Sequence, residues 1–344
     1  MGNEIVVSVL DLVSMRPGEP ASSAIGRSVD LARHVEEWGY KRYWLAEHHS
    51  IAGLACSATP VLVGHVAGAT KMIRVGSGGV MLPNHAPLVV AEQFGTLEAL
   101  YPGRIDLGLG RAPGGDLHTM RALRRDLHQS GEDFPELLEE LQTYLVPEKP
   151  GQLVKAIPGQ GSNVPITLLG SSTFSAQLAA MMGLSFAFAA HFAPDDLETA
   201  AQLYREQFRP KGALQEPHLM VAVQVVAAET DAAARRLFTT VQQRFLRLIR
   251  NEPVELLPPV DSMAPLWQDY ERAAAESKLR AAIVGSEATV RARLQELVDD
   301  TRADEVIVVT DTFEHADRLQ SYQRVARVAA SVALRKVTAE ARVT

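Results

Sequence analysis

Residues 73–110, IRVGSGGVMLPNHAPLVVAEQFGTLEALYPGRIDLGLG, carry a complete β-α-β unit. Residues 73–80 are a mostly apolar run of strand length. Residues 89–100 have the spacing of an amphipathic helix, and 105–110 (IDLGLG) form a second strand-length run. Strand, helix, strand in that order predicts parallel pairing, because two parallel strands need a crossover between them.

Outward from this unit the rhythm repeats. Upstream, 4–10 (EIVVSVL) and 42–47 read as strands, followed by helices at 22–38 and 57–69. Ile25, Val29, Ala32, Val35 and Trp38 share one face of the first helix. Downstream, strands fall at 165–169, 185–189, 218–228 and 305–310. Each is followed by a helix, at 172–182, 195–208, 231–250 and 316–333, and a further helix at 287–299 precedes the last strand. Two stretches break the rhythm. Residues 111–163 hold two helix-like segments but no strand-like run. Residues 251–285 are rich in proline (Pro253, Pro258, Pro259, Pro265). Eight strands, each followed by a helix, predict an α/β fold, a (β/α)8 TIM barrel. The barrel would be one domain over residues 1–344, with insertions of about 111–163 and 251–285 at the C-terminal face of the strands. The alternative is an open doubly wound sheet, which expects a Gly-rich fingerprint after the first strand. DLVSMRPGEP (11–20) has no GxGxxG.

Composition narrows the function classes. The chain has 344 residues, 47% of them hydrophobic, enough to bury a large core. Thirty-four Lys+Arg against 41 Asp+Glu give −7, with no basic run. That argues against nucleic acid and an anionic membrane surface as partners. The single cysteine, Cys56, excludes an intrachain disulfide and a cysteine-based metal cluster. No apolar run approaches the roughly 20 residues of a membrane span, and MGNEIVVSVLDLVS lacks the marks of a signal peptide. The expectation is a cytoplasmic enzyme.

In a barrel of this kind, chemistry sits at the C-terminal ends of the strands. Gly170-Ser171-Ser172-Thr173 opens a helix after the fifth strand. Its free N–H groups and hydroxyls could cradle a phosphate, or form an ordinary N-cap. Arg111, ending the fourth strand, could pair with the same phosphate or lie in a surface ion pair. Arg121, Arg124 and Arg125 follow in the insertion and could be a solvated face, or one of them could reach the phosphate. Gly76, Gly78 and Gly79 imply close approach, either of a flat ring or of a neighbouring strand. His48 and His49 end the second strand, and alternation aims at most one of them at the barrel mouth. It could act as a general base or a hydrogen-bond donor, or be a structural histidine capping the strand end. A metal site could be assembled from Glu47, His48, His85, His191 and Asp311, but the first strand lacks the His-x-His of metal-dependent barrel hydrolases, and no metal is expected.

Read together, GYKRYWLAEHHS (39–50), IRVGSGGVMLP (73–83), AEQFGTLEALYPGRIDLGLGR (91–111) and the C-terminal GSEATVRARLQEL, DEVIVVTD and HADRLQSY resemble the bacterial luciferase-like family of flavin-dependent monooxygenases. The resemblance runs over most of the chain and implies a TIM barrel that binds FMN. It implies that His48 is the catalytic acid/base beside the reactive edge of the flavin. Gly78 and Gly79 would form a non-prolyl cis peptide against the flavin ring. Arg111, with Ser171, Ser172 and Thr173, would hold the flavin phosphate, and His191 would lie where the sixth strand meets the ring. Reduced FMN would act as co-substrate, reduced by NAD(P)H directly or by a separate flavin reductase. Oxygen and a small organic molecule would be the other reactants, and a homodimer is expected, with Ala58, Val61, Leu62, His65 and Val66 on a helix face that could serve it or could equally pack on the barrel wall. A branch of the superfamily uses deazaflavin for hydride transfer, which stands as an alternative. A non-catalytic flavin-binding protein is another. Three departures matter. The reactive cysteine of luciferases is Gly110 here, the glutamate of their phosphate loop is Ser171, and the region of their long mobile lid is short and proline-rich. Light emission is therefore not implied.

Overall fold

A computed structural model of the chain describes residues 4–112, 117–123 and 133–334. Among them are nine strands: β1 Val6–Asp11, β2 Arg42–Leu45, β3 Arg74–Met81, β4 Ile105–Gly110, β5 Ile166–Gly170, β6 Ser185–Phe188, β7 Leu219–Ala227, β8 Ile283–Gly285 and β9 Glu305–Val309. The helices are α1 Ala21–Glu37, α2 Thr59–Ala69, α3 Pro87–Leu100, α4 Leu117–Ala122, α5 Phe134–Leu145, α6 Thr173–Met182, α7 Leu197–Gln207, α8 Asp231–Ile249, α9 Asp269–Leu279, α10 Glu287–Thr301 and α11 His315–Ala329. No helix among the described residues is long and apolar enough to cross a membrane.

Parallel pairing runs β1-β2-β3-β4-β5-β6-β7-β9 and returns to β1, closing eight strands into a TIM barrel. The strands are legible as apolar runs because both faces are covered. β7 (LMVAVQVVA) is buried at every position. Each barrel strand lies within two residues of its expected place.

The second insertion is larger than expected. α10, not α8, packs between α7 and α11 in the outer ring and so makes the crossover from β7 to β9. α8 packs instead on α9, β7 and the short β8. There Phe238, Val241, Phe245, Ala275 and Leu279 form a small second core with Val226. β8 pairs with β7 only over Val225–Ala227, outside the closed ring. Neither α9 nor β8 was expected in the proline-rich stretch.

The glycines of β3 are explained by packing. A Cβ on Gly76 would strike Asp106, one on Gly78 would strike Leu10 and Trp44, and one on Gly79 would strike the Gly108 backbone. The β3–β4 register slips between Ser77 and Val80, as in a bulge.

Buried charge fixes both ends of the barrel. At the N-terminal end, Arg42 bridges Asp106 and Glu305 at 2.8 Å each, with Arg74 and His218 completing the network. At the C-terminal end, fully buried Asp11 accepts from Arg318 at 2.8 Å, from Ser28 at 2.5 Å, from Tyr43 and from the Val13 N–H at 2.9 Å. Burial alone would raise its pKa, but Arg318 and the two hydroxyls overcome this and hold it at about 2 against the ordinary 3.8. Such a lowered pKa contributes stability above pH 4 that is lost as pH falls towards 2. Arg318→Met should therefore lower the unfolding free energy by about 3–5 kcal/mol at pH 7, because it strands a buried carboxylate. The deficit should narrow below pH 4. Urea denaturation checks this, and an unchanged midpoint would mean that the pair is idle.

Candidate active site

The C-terminal strand ends surround a mouth, and two groups of predicted residues meet there. The first lies at β4, β5 and α6. The Arg111 guanidinium sits 4.5 Å from the ring centre of Phe174, in the first turn of α6. Ser172 occupies the N-cap of α6, yet its hydroxyl makes no capping bond. The first-turn N–H groups are thus not capped by that side chain, and the ordinary N-cap reading does not hold. Ser171 and Thr173 flank it. A Cβ on Gly110, next to Arg111, would meet nothing within 4 Å. An arginine, an uncapped helix N-terminus and open space suit an anion such as a phosphate. Arg121 is exposed on α4, and Arg124 and Arg125 lie outside the described residues.

The second group is histidine. Burial pushes the His48 imidazole down to about 4. Glu47 pulls it back up, while Arg244 and His49 press it lower. Burial, then the nearby His48, likewise lowers His191 to about 4 against the pull of Asp311. At these values both rings are neutral at pH 7, and each follows the C-terminal end of a strand, His48 after β2 and His191 after β6. His191 Nδ1 is buried without a hydrogen-bond partner. His49 turns the other way: its Nε2 lies 2.9 Å from Glu47 Oε1, and His85 Nε2 lies 2.8 Å from the same oxygen.

Of the five groups considered for a metal, Glu47 and His85 meet, and the five do not form one set among the described residues. Asp311 is held by Arg244 at 2.5 Å and by Ser14 at 3.0 Å. Among the described residues, the trio whose ligand atoms lie within 4.8 Å of one another is Glu47, His49 and His85. Its 2.8–2.9 Å contacts are those of imidazoles bonded to a carboxylate, and they tie the loop after β2 to the loop before α3.

The Gly78–Gly79 peptide bond is cis, on the strand next to His48. Cys56 is buried, and burial pushes its thiol up to about 12. It stays protonated and inert at neutral pH.

Two residues at the mouth escape sequence reasoning. Gln224 is the lone polar residue in β7 and is buried, with its Oε1 unpaired. Arg244 lies on the apolar stripe of α8, also buried. Polar residues at positions that should be apolar were the available signal. The proline-rich segment is the third surprise. Val254 and Leu256 donate to Ala52 and Met15 at 2.9 and 2.8 Å, and Thr240 and Gln243 of α8 donate to Leu257 and Pro258. It is a strap tied to the loops after β1 and β2.

Comparison with known proteins finds relatives along most of the chain. A protein of Escherichia coli (strain K12) named luciferase-like monooxygenase is 48% identical over 319 residues, 93% of this chain and 95% of its own. An N-acetyl-S-alkylcysteine monooxygenase of Bacillus subtilis (strain 168) is 40% identical over 238 residues, 67% of this chain and 70% of its own. The crystal structure of apo-MsnO8 superposes with a TM-score of 0.84 at 34% identity, over 97% of this chain and 99% of its own. The same fold recurs, below 20% identity, in a Baeyer-Villiger monooxygenase complexed with FMN (TM-score 0.76) and in an F420-dependent alcohol dehydrogenase (TM-score 0.68). The model of the luciferase-like monooxygenase family matches residues 5–327, and the chain belongs to that family.

Proposed function

We propose that the protein is an FMN-dependent monooxygenase that uses oxygen to oxidise a small organic substrate. The observation that carries this reading is Arg111 beside the uncapped N-terminus of α6, on the same mouth as His48. The N-acetyl-S-alkylcysteine monooxygenase among the relatives supports oxygen transfer to a small molecule. The whole chain, 1–344, would work as one domain, a reading supported by the core shared by all eight barrel strands.

The cradle fits the proposed cofactor. Arg111, Ser171, Ser172 and Thr173 would hold the FMN phosphate. Gly78 and Gly79 would lie against the flavin ring through the backbone of β3. Reduced FMN, when bound, supplies the electrons that activate oxygen. His48 and His191 would meet the reacting edge as neutral imidazoles, and His48 would move a proton at a ring nitrogen. The strap and α8 would keep bulk water from that proton. NAD(P)H would reduce the flavin in place or through a separate reductase, in the cytoplasm. We also propose a homodimer through α2 and α3. Val61 is 72% exposed and Val89 44%, whereas Leu62 and Val66 turn into the core.

Arg111→Ala should weaken FMN binding by about 1.5–3 kcal/mol, the worth of a hydrogen bond to a charged group. Fluorescence titration reads this, and an unchanged dissociation constant rejects the phosphate role. His48→Ala should lower substrate-dependent turnover by about 10²–10⁴-fold while FMN affinity stays within error; equal turnover removes His48 from the chemistry. The pH profile of wild-type turnover should show no His48 ionisation between pH 5 and 8, because burial holds that imidazole neutral down to about 4. A bound cofactor lacking the long-wavelength flavin band would favour the deazaflavin alternative. Failure to consume oxygen with any substrate would favour a flavin-binding protein without catalysis.

A further inference from the structure

An imidazole that moves a proton is commonly aimed by a carboxylate or carbonyl bonded to its second ring nitrogen. No hydrogen bond from a described residue reaches the His48 ring. The ring must then be aimed by its own backbone, and that backbone is held on both sides. The Ala46 N–H donates to the Asp11 carbonyl at 3.0 Å, and the Ala46 carbonyl accepts from the Thr59 hydroxyl at 3.0 Å. Glu47 and His49, the chain neighbours of His48, meet each other: His49 Nε2 lies 2.9 Å from Glu47 Oε1. The same oxygen lies 2.8 Å from His85 Nε2. The Glu47 carboxyl is 1% exposed, so water does not compete for that oxygen.

Glu47 stands apart from the other buried acids. Asp11, Asp106, Glu271, Glu305 and Asp311 each pair with an arginine. The ion-pair partners of Glu47 among the described residues are His49 and His85. An arginine fork holds one carboxylate against one element. Two imidazoles on one oxygen instead make a three-way joint. It closes the chain on either side of His48 and ties it to a residue four positions beyond Met81, the end of β3. β3 is the strand that carries the cis Gly78–Gly79 peptide. The joint thus sets how far His48 stands from that strand, and a misplacement of about 1 Å at a reacting group can cost a hundredfold in rate.

We propose that Glu47 is a positioning residue, which through His49 and His85 fixes the His48 imidazole relative to β3 and the flavin held there. This rests on the FMN-dependent reading of the same mouth. Glu47 acts through His48 and moves no proton itself. The bonding makes the proposal specific. One carboxylate oxygen has the two lone pairs that two Nε2–H donors need, and an amide oxygen has them too. Glutamine at 47 therefore keeps the joint without the charge, and alanine loses both. At 85, glutamine brings its amide N–H to about the place of Nε2–H, whereas asparagine is one methylene shorter and does not reach the oxygen.

Two readouts on the full chain test this. The first is the histidine-ring NMR spectrum of protein labelled with ¹⁵N-histidine, in which His48→Ala assigns the His48 signals. Glu47→Ala should shift or split those signals and leave the signals of His34, on α1, in place; Glu47→Gln should restore them. The second is reoxidation of bound reduced FMN by oxygen, followed by flavin absorbance. Glu47→Ala should change its rate by about tenfold to a hundredfold, in the direction that His48→Ala changes it, while the FMN dissociation constant stays within error. On the His48→Ala background the same substitution should change the rate by no more than about twofold, because a residue that acts only through His48 has nothing left to act on. His85→Asn should repeat Glu47→Ala in both readouts and His85→Gln should match the wild type, which keeps the test decisive should Glu47→Ala not fold. His48 signals that stay in place in Glu47→Ala or His85→Asn overturn the positioning role. So do equal rate effects of Glu47→Ala with and without His48, and so does failure of Glu47→Gln to restore the signals, which would assign the effect to charge. Displaced His48 signals together with a reoxidation rate indifferent to His48→Ala would uphold the joint and sink the part of His48 in the flavin reading.

Discussion

A carboxylate in complete burial is costly unless it is paired and fully hydrogen-bonded, and Asp11 meets that condition only when four other elements are in place. Ser28 comes from α1, Tyr43 from β2, Arg318 from α11, and the Val13 N–H from the turn after β1. Arg318 also donates to the Thr310 carbonyl just past β9, at 2.8 Å. One charge therefore fixes the seam where β9 meets β1 and the two helices outside it. Asp311 repeats the device with Arg244 of α8. Glu47 repeats it across the loops with His49 and His85. Three acids at the ends of β1, β9 and β2 thus hold the rim on which the candidate site stands, which is how a site keeps the sub-ångström order that chemistry needs.

The two ends of the barrel use buried charge to different effect. At the N-terminal end, both oxygens of Asp106 and both of Glu305 are engaged by arginine, tryptophan, serine or histidine. Nothing is left for a ligand, and that end reads as a plug for stability. At the C-terminal end, Arg244, Gln224 and His191 each keep one buried atom unpaired. The same chemistry that closes one end is left incomplete at the other.

The barrel was legible because parallel strands, covered on both faces, read as apolar runs, and turn residues mark where they stop. The role of α8 was not. Its apolar stripe has the period of any crossover helix, and periodicity does not say whether that stripe lies on the barrel or on a neighbouring helix such as α9. α9 itself begins with a capping box from Gln268 to Glu271, but glutamine is an uncommon N-cap, and nearby prolines draw attention away. β8 has three residues, too few for any pattern. Among site residues, those at strand ends were legible by position: His48, Arg111 and the Ser171–Thr173 run. The Glu47–His49–His85 link and the Arg244–Asp311 pair join residues 2, 36, 38 and 67 positions apart. One sequence without folding cannot state which of many such pairs close.

The strap decides what kind of selectivity this site has. Its backbone donates to Ala52 and Met15, a Cβ at Gly53 would collide with the Glu255 backbone, and α8 holds its carbonyls from the other side. Prolines at 253, 258 and 259 reduce the conformational freedom it must lose on folding. A segment so tied is a roof built with the barrel, not a lid drawn down by substrate. Discrimination must then come from fixed polar groups. A site with a buried donor and a buried acceptor rejects a ligand lacking either far more strongly than an apolar pocket rejects a missing methylene.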